Sequence, residues 1–462
     1  MFPGFVDRDR EYRVLEEAYR SGEPELIVVY GPWRAGKTFL VKRFLRGKRE
    51  RAFYMVANFG EEELVLLDLK MQGHRIVNIA FDMSTFYKSL RYMSYAMRER
   101  FILVIDGFQI LERRVLKQLV EYWDKEAEKY KPFIILVGEG EKAIERLIAG
   151  DMLQDRVTRV IKISAFGYRE SRVFMNGMSP EDKVTAYGVF GGIPYYLSLI
   201  DPTISLLDNV RELVLKPGAP LREEPLNYIY RLTREPGRYM AALSAIARGC
   251  DTPSKVAACA NIRQDSVARY LRWMEENLDL VYRIYPLSMD NRLHFPRYRI
   301  ANPFFKWWFA HILPLRGLMD LDVREAQRWV EAGLEDTSID ACREVALEHL
   351  HLLRSLGRIE YTRIGWWWWS MRSEAMVVAV DEANETAIFV ECEWGKADES
   401  TLQKLVNKSS RFPWRRRSRE NIFVIYALDV SNIRGGNVIA YTLEEVDKDF
   451  NNVRPSIERF EA

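Results

Sequence analysis

Cysteine is sparse in this chain, four residues in 462. Cys250, Cys259, Cys342 and Cys392 form no C-x-x-C pair or other metal-site spacing, which leaves no thiolate metal centre to expect. Four scattered thiols in a long chain point to a reducing cytoplasm. Net charge is also small: 68 Lys and Arg against 66 Asp and Glu give +2. No overall field draws in nucleic acid, so a basic site has to be local. Long apolar runs are missing too. The most hydrophobic aromatic stretch, Asn302 to Leu315, is too short to span a bilayer and carries Lys306 and His311, so it reads as a buried helix and no membrane partner is expected. The first residues are charged too early for a secretory signal. Repeats and low-complexity segments are absent as well. What remains is a cytoplasmic globular chain, 48% hydrophobic and 29% charged, long enough for about three domains. Its abundant Arg and Glu with few Gln suit a thermophile.

Residues 31 to 38 read GPWRAGKT, which fits the phosphate-binding loop G-x-x-x-x-G-K-[ST]. The apolar run Glu25 to Tyr30 precedes it as a buried strand. Phe39, Leu40, Phe44 and Leu45 follow at helical spacing. Strand, glycine loop and helix start are the context such a loop needs. Gly31 and Gly36 let the backbone between them, Pro32, Trp33, Arg34 and Ala35, curl so that the N–H groups (Pro32 has none) point inward. The helix start adds partial positive charge. Lys37 would neutralise the β- and γ-phosphates of ATP, and Thr38 would ligate Mg²⁺.

Strand and helix patterns alternate through the first 165 residues, as in an α/β parallel sheet. RAFYMVA, a helical EEELVLLDLKM, the apolar RIVNIAF and a helix near Ser84 to Arg98 lead to FILVIDGFQIL. There Asp106 ends an apolar strand, where a P-loop NTPase holds Mg²⁺ through water. Many such ATPases carry a glutamate at the next position to polarise the attacking water. Here it is Gly107, and losing a general base costs about 10²–10⁴-fold in rate. Glu139, in the Gly138-Glu139-Gly140 end of the strand PFIILV, is a candidate stand-in; a solvated loop glutamate is the other reading.

Phe5, Arg8 and Glu11 fit F-x-x-R-x-x-E, and Gly191, Gly192 and Pro194 fit G-G-x-P. With the P-loop and the IDGFQ strand, their order resembles the archaeal ATPase family within the STAND branch of AAA+-like P-loop NTPases. The resemblance covers nearly the whole chain. It implies a core over 1–165 and a nucleotide-sensing helical lid over 166–236, with Pro194 near the nucleotide. It also implies a basic γ-phosphate contact, for which Arg156 is the nearest match.

From Gly237 the pattern changes to three short helices and a hairpin turning at Asp290-Asn291, the winged helix-turn-helix arrangement, over 237–300. Thr252 reads as an N-cap before Pro253. Gln264, Asp265, Ser266, Arg269 and Arg272 lie on the outer side of the third helix, where Gln264, Ser266, Arg269 and Arg272 could meet DNA bases or phosphates. A pure protein-interaction module is the alternative.

A helical connector (301–335) leads to the last segment (336–462). The resemblance implies an α/β domain there, similar to PD-(D/E)xK restriction-endonuclease-like proteins. The metal carboxylates and lysine of such nucleases fall at Glu374-Ala375-Met376 and Glu391-Cys392-Glu393. Glu391 remains, Met376 replaces an aspartate and Glu393 replaces the lysine. A thioether cannot hold Mg²⁺, so an inactive nuclease-like domain is expected. Trp366 to Trp369 read as packing. The arginines 411, 415, 416, 417 and 419, set around Phe412 and Trp414, form the densest positive patch, and Arg415, Arg416 and Arg417 are its expected phosphate contacts. The whole reads as an ATP-binding, DNA-associated protein with slow or absent hydrolysis. The alternative is a non-enzymatic scaffold that binds a protein partner or a second copy.

Overall fold

The computed structural model describes residues 5–57, 61–77, 84–97, 100–233, 235–287, 296–370, 373–431, 433, 435–453 and 457–458. They form two compact units, one of residues 4–165 with 456–462, the other of 166–455 with 1–3.

The first unit starts with strand β1 (Phe5–Val6) and helix α1 (Asp9–Arg20). Its sheet contains β2 (Glu25–Tyr30), β3 (Ala52–Val56), β4 (Ile102–Asp106), β5 (Phe133–Gly138) and β6 (Arg159–Lys162), all parallel, in the order β3-β4-β5-β2-β6. Helices α2 (Lys37–Phe44), α3 (Glu62–Val77), α4 (Phe86–Met97), α5 (Arg113–Tyr130) and α6 (Glu141–Ile148) fill the connections. Every residue of β2 and β5 is buried, which is why both read as unbroken apolar runs rather than alternating ones. Alternate side chains still part to opposite faces. Leu26, Val28 and Tyr30 join Leu103, Ile105, Ile134 and Leu136 in one core. Ile27 and Val29 join Ile102, Val104, Ile135 and Phe44 in the other. Of the apolar RIVNIAF, Arg75 to Val77 end α3, and residues 78–81 lie outside the described ones.

In the second unit, α7 (Tyr168–Ser171), α8 (Pro180–Phe190), α9 (Pro194–Leu197), α10 (Leu206–Val210) and α11 (Glu224–Leu232) come first. A three-helix group follows, α12 (Pro236–Ala247), α13 (Pro253–Cys259) and α14 (Gln264–Glu276), with an antiparallel pair β7 (Val281–Ile284) and β8 (Arg297–Ile300). Thr252 caps α13, its hydroxyl accepting from the Lys255 N–H. The expected turn at Asp290-Asn291 lies outside the described residues. The aromatic stretch from Asn302 is not one regular helix. It is α15 (Pro303–Trp307), then a π-helical turn (Trp308–Ile312) and a 3₁₀ turn (Leu313–Leu315). The fully buried Trp308 donates its indole N–H to the Arg222 carbonyl at 2.9 Å.

Helices α16 (Arg316–Leu321), α17 (Val323–Ala332) and α18 (Leu334–Ser355) lead into a second sheet. Its strands are β9 (Arg363–Trp367), β10 (Met376–Asp381), β11 (Thr386–Ala397), β12 (Glu420–Val430) and β13 (Val438–Thr442), in the order β13-β12-β11-β10-β9. The pairs β11–β12 and β12–β13 are parallel; β9–β10 and β10–β11 are antiparallel. Helix α19 (Glu399–Ser409) crosses between β11 and β12, and α20 (Leu443–Asn452) follows β13. Side-chain alternation again makes two cores. Val377, Ala379, Ile388, Val390 and Cys392 pack with Val345, Ala346 and Leu350 of α18. Met376, Val378, Val380, Ala387 and Phe389 pack with Leu402 and Leu405 of α19. In the first unit β14 (Ile457–Glu458) pairs with β1.

Two of the four cysteines that read as scattered thiols are joined: Cys250 and Cys259 form a disulfide. They stand nine residues apart but at the ends of neighbouring helices, just after α12 and at the close of α13, which brings their Cα atoms to 6.6 Å. That falls within the range a disulfide spans.

Candidate nucleotide-binding site

Because β2, β4 and β5 are parallel and adjacent in the sheet, their carboxyl ends converge on one edge, where α/β sheets bind ligands. Residues 31–36 leave β2 as a loop that two glycines make possible. A Cβ on Gly31 would stand 1.9 Å from the Ile163 carbonyl oxygen, so no side chain fits. Gly36 is left-handed at φ 93° and begins α2 without a capping side chain. The first N–H groups of the helix are thus left for an anion. Between them Ala35 is buried, and the Arg34 guanidinium lies 5.3 Å from the centre of the Trp33 ring.

Lys37 is 5% exposed. Its ammonium donates to the carbonyls of Gly31 at 3.0 Å and Pro32 at 2.6 Å, and lies 3.9 Å from a Glu139 carboxylate oxygen. The Thr38 hydroxyl donates to Asp106 Oδ2 at 2.7 Å. A hydroxyl and a carboxylate side by side are the hard oxygen donors Mg²⁺ selects, so Thr38 and Asp106 fit the metal that accompanies a nucleoside triphosphate. Once bound, the metal would offset negative charge on the phosphates.

A second donor reaches the same carboxylate and was not foreseen. The Tyr54 hydroxyl donates to Asp106 Oδ2 at 2.5 Å. Burial, with the Asp106 charge next, pushes the Tyr54 phenol well above its usual range. It stays a donor throughout the accessible pH range and fixes the orientation of the carboxylate. Only strand register discloses it: β3 pairs with β4 so that Val56 faces Asp106 and Tyr54 faces Val104. Gly107 has a structural cause as well, a left-handed φ of 86°, which a glutamate would adopt only under strain. Arg8 anchors the N-terminal motif by donating to Glu11 at 3.2 Å and to the Ser164 carbonyl.

Arg156 is a correction. It precedes β6, which runs parallel to β2, so it lies by the amino ends of the strands, where Thr158 donates to the Leu26 carbonyl. The phosphate loop is at the carboxyl ends. Arg156 instead makes a two-pronged contact with Asp124 of α5, at 2.7 and 2.8 Å. Pro194 belongs to the second unit, opening α9. The preceding Gly192 is held tightly: a Cβ there would lie 1.8 Å from the Phe166 carbonyl oxygen.

Residues 5–200 match a family model described as an ATPase domain predominantly from Archaea. This part of the chain is thus similar to that archaeal ATPase domain. Residues 308–405 match a second model, of archaeal and bacterial proteins of unknown function. An uncharacterized protein of Methanocaldococcus jannaschii is 23% identical over 96% of this chain and 99% of its own length. An uncharacterized ATP-binding protein of the same organism is 42% identical over 10% of this chain and 76% of its own length. Similar solved structures include a Walker-type ATPase of Pyrococcus abyssi, with TM-score 0.49 and 18% identity over 66% of this chain and 96% of that one. The ORC2 protein of Aeropyrum pernix has TM-score 0.45 and 13% identity over 72% and 96%.

Outside the candidate nucleotide site, Gln264, Asp265, Arg269 and Arg272 are exposed on α14 and Ser266 is half-buried. Asp265 is engaged by Arg263 and Ser266. Among the C-terminal arginines, Arg416 and Arg417 are exposed. Arg415 is ion-paired with Glu385, and Arg419 is buried, donating to the carbonyls of Ser409, Phe412 and Trp414. The tryptophans pack beneath arginines. Arg299 lies over Trp366 at 3.8 Å, Arg297 over Trp368 at 4.6 Å and Arg411 over Trp369 at 4.7 Å.

Glu374, Met376 and Glu391 line a cavity of about 210 Å³ with Arg343, Trp369 and Lys408. Lys408, on α19, was not foreseen. Its ammonium meets Glu391 at 2.7 Å, while Arg343 meets Glu374 at 3.4 Å. Glu393 accepts from the Thr401 hydroxyl at 3.4 Å. Among the described residues no group of three or more His, Cys, Asp or Glu is arranged to hold a metal ion. No described helix is long and apolar enough to cross a membrane.

Proposed function

We propose that this chain is a cytoplasmic AAA+/STAND-type ATP switch associated with DNA, in which bound nucleotide sets the nucleic-acid affinity of the second unit and hydrolysis is slow or absent. The observation that carries the nucleotide reading is the 2.7 Å contact between Thr38 and Asp106 beside a buried Lys37. Slow turnover is supported by Gly107, which offers no base, and by Glu139, whose carboxylate lies 3.9 Å from the ammonium that phosphate would claim. On this reading α12 to α14 with β7 and β8 act as a winged helix, and Gln264, Arg269 and Arg272 face the duplex. The C-terminal sheet acts as a nuclease-like domain without activity, since Met376 offers no hard ligand.

Fluorescence-anisotropy titration of duplex DNA with and without ATP–Mg²⁺ tests the proposal. Affinity should change with nucleotide and fall steeply with salt. An Arg269→Ala, Arg272→Ala variant should flatten the salt slope by about two contacts. Turnover on the order of 1 s⁻¹ or faster would overturn the slow-hydrolysis part. A protein-binding scaffold is the competing reading. It draws on Trp273, Tyr230 and Trp329, which are 47%, 61% and 61% exposed, and a salt-independent response would favour it.

A further inference from the structure

Cys342 stands on α18 and Cys392 on β11, facing each other inside the core between that helix and the sheet. Both are buried, 2% and 5% exposed, and their sulfurs are 2.6 Å apart. Non-bonded carbon atoms already keep about 3.5–4.0 Å, and sulfur is larger, so two separate thiols at this distance repel strongly. A covalent bond of about 2.05 Å removes the repulsion with a small closing movement. Neither residue sits on a loop that could swing away. Val345 and Ala346 on the helix, and Ile388 and Val390 on the strand, pack the same core around them.

We infer that Cys342 and Cys392 are a covalent modification site, closing into a second disulfide that ties α18 to β11. The chemistry balances with a small-molecule disulfide as oxidant. One thiolate attacks a sulfur of the oxidant, forms a mixed disulfide and expels one thiolate leaving group. The second cysteine sulfur displaces the remaining half. Two electrons pass to the oxidant, and its two halves leave as thiols carrying the two protons. Burial raises the Cys392 thiol well above its usual range, so reaction in the folded state is slow and proceeds through opening of the helix–strand seam. The bond has a local consequence. Arg343 and Glu391 are the immediate chain neighbours of the two cysteines, and both line the 210 Å³ cavity. Oxidation fixes the separation of these two walls; reduction lets them part.

Peptide mapping of the full-length chain tests this. The protein is purified without reductant, incubated with oxidised glutathione at rising temperature, alkylated in denaturant and digested under non-reducing conditions. The expected result is one cross-linked peptide joining Cys342 to Cys392, lost on treatment with dithiothreitol. The Cys250–Cys259 pair in the same digest is the internal control. Alkylated Cys342 and Cys392 in a sample whose Cys250–Cys259 pair is oxidised would overturn the assignment, as would each carrying its own glutathione. A second readout needs no variant to match wild-type stability. The gap in melting temperature between oxidised and reduced protein should shrink in a Cys342→Ala, Cys392→Ala double variant, and an unchanged gap counts against the bond.

Discussion

The P-loop and the C-terminal cavity each set a lysine against a glutamate, and they use the pair in opposite ways. In the first, Lys37 is held by two backbone carbonyls, with Glu139 at 3.9 Å. Those neutral acceptors satisfy the ammonium without cancelling its charge, so it remains an anion receptor. In the second, Lys408 meets Glu391 directly at 2.7 Å, and the pair is close to neutral. Identical side chains therefore make a phosphate receptor at one site and a structural pin at the other. The difference lies in what backbone the loop supplies, which only glycine permits at Gly31.

The sharpest way to break the comparison is at that glycine. Gly31→Ala should destabilise the first unit or displace its loop at a cost of about 3 kcal/mol or more, since the new Cβ overlaps the Ile163 carbonyl. Urea unfolding measures it, and a cost below about 1 kcal/mol would show the loop to be pliant. Lys37→Ala comes next. Losing a charge-assisted contact of about 2–3 kcal/mol should weaken fluorescent ATP binding about 30- to 150-fold, and unchanged affinity would sink the receptor reading. Lys408→Met should leave nucleotide binding alone and cost about 1–3 kcal/mol of stability, because Glu391 is left half-buried without its cation. A Lys408→Met, Glu391→Gln double variant should recover part of that loss in the same assay.

The smallest effect is set by pH. His349 is fully buried between Tyr426 and Asp449, at 3.0 and 3.1 Å. Burial is the largest influence and holds its imidazole below the usual range, against the opposing pull of Asp449. The unfolded chain therefore takes up this proton first as pH falls. The stabilising contribution is complete above about pH 6.5 and is lost below it, by up to about 1.4 kcal/mol per pH unit. Unfolding at pH 7.5 and pH 5.5 should show wild type losing about 1 kcal/mol more than His349→Gln.

What could be read from residues alone follows a physical line. The phosphate loop, the Asp106 strand and the Thr252 cap are local patterns in which neighbours in sequence are neighbours in space. Tyr54 and Lys408 reach their carboxylates only through strand register and helix placement, which no single segment encodes. Arg156 was misplaced because a residue before a parallel strand lies at the end opposite a loop that follows one. The Cys250–Cys259 bond was hidden for a related reason: helix packing, not spacing, brings the two residues together.

The arginine–tryptophan stacks carry one more consequence. Arg297 and Arg299 belong to β8, which pairs with β7 beside α14, and their rings Trp368 and Trp366 belong to the C-terminal sheet segment. The Leu287 N–H adds a bond to the Trp366 carbonyl at 2.6 Å. Three helices, two strands and a five-stranded sheet are thereby clamped like the jaws and handle of one caliper. If α14 seats in a duplex groove, the 210 Å³ cavity is held at a fixed number of base pairs from that groove. The footprint on DNA would then be a constant of the fold rather than of the linker.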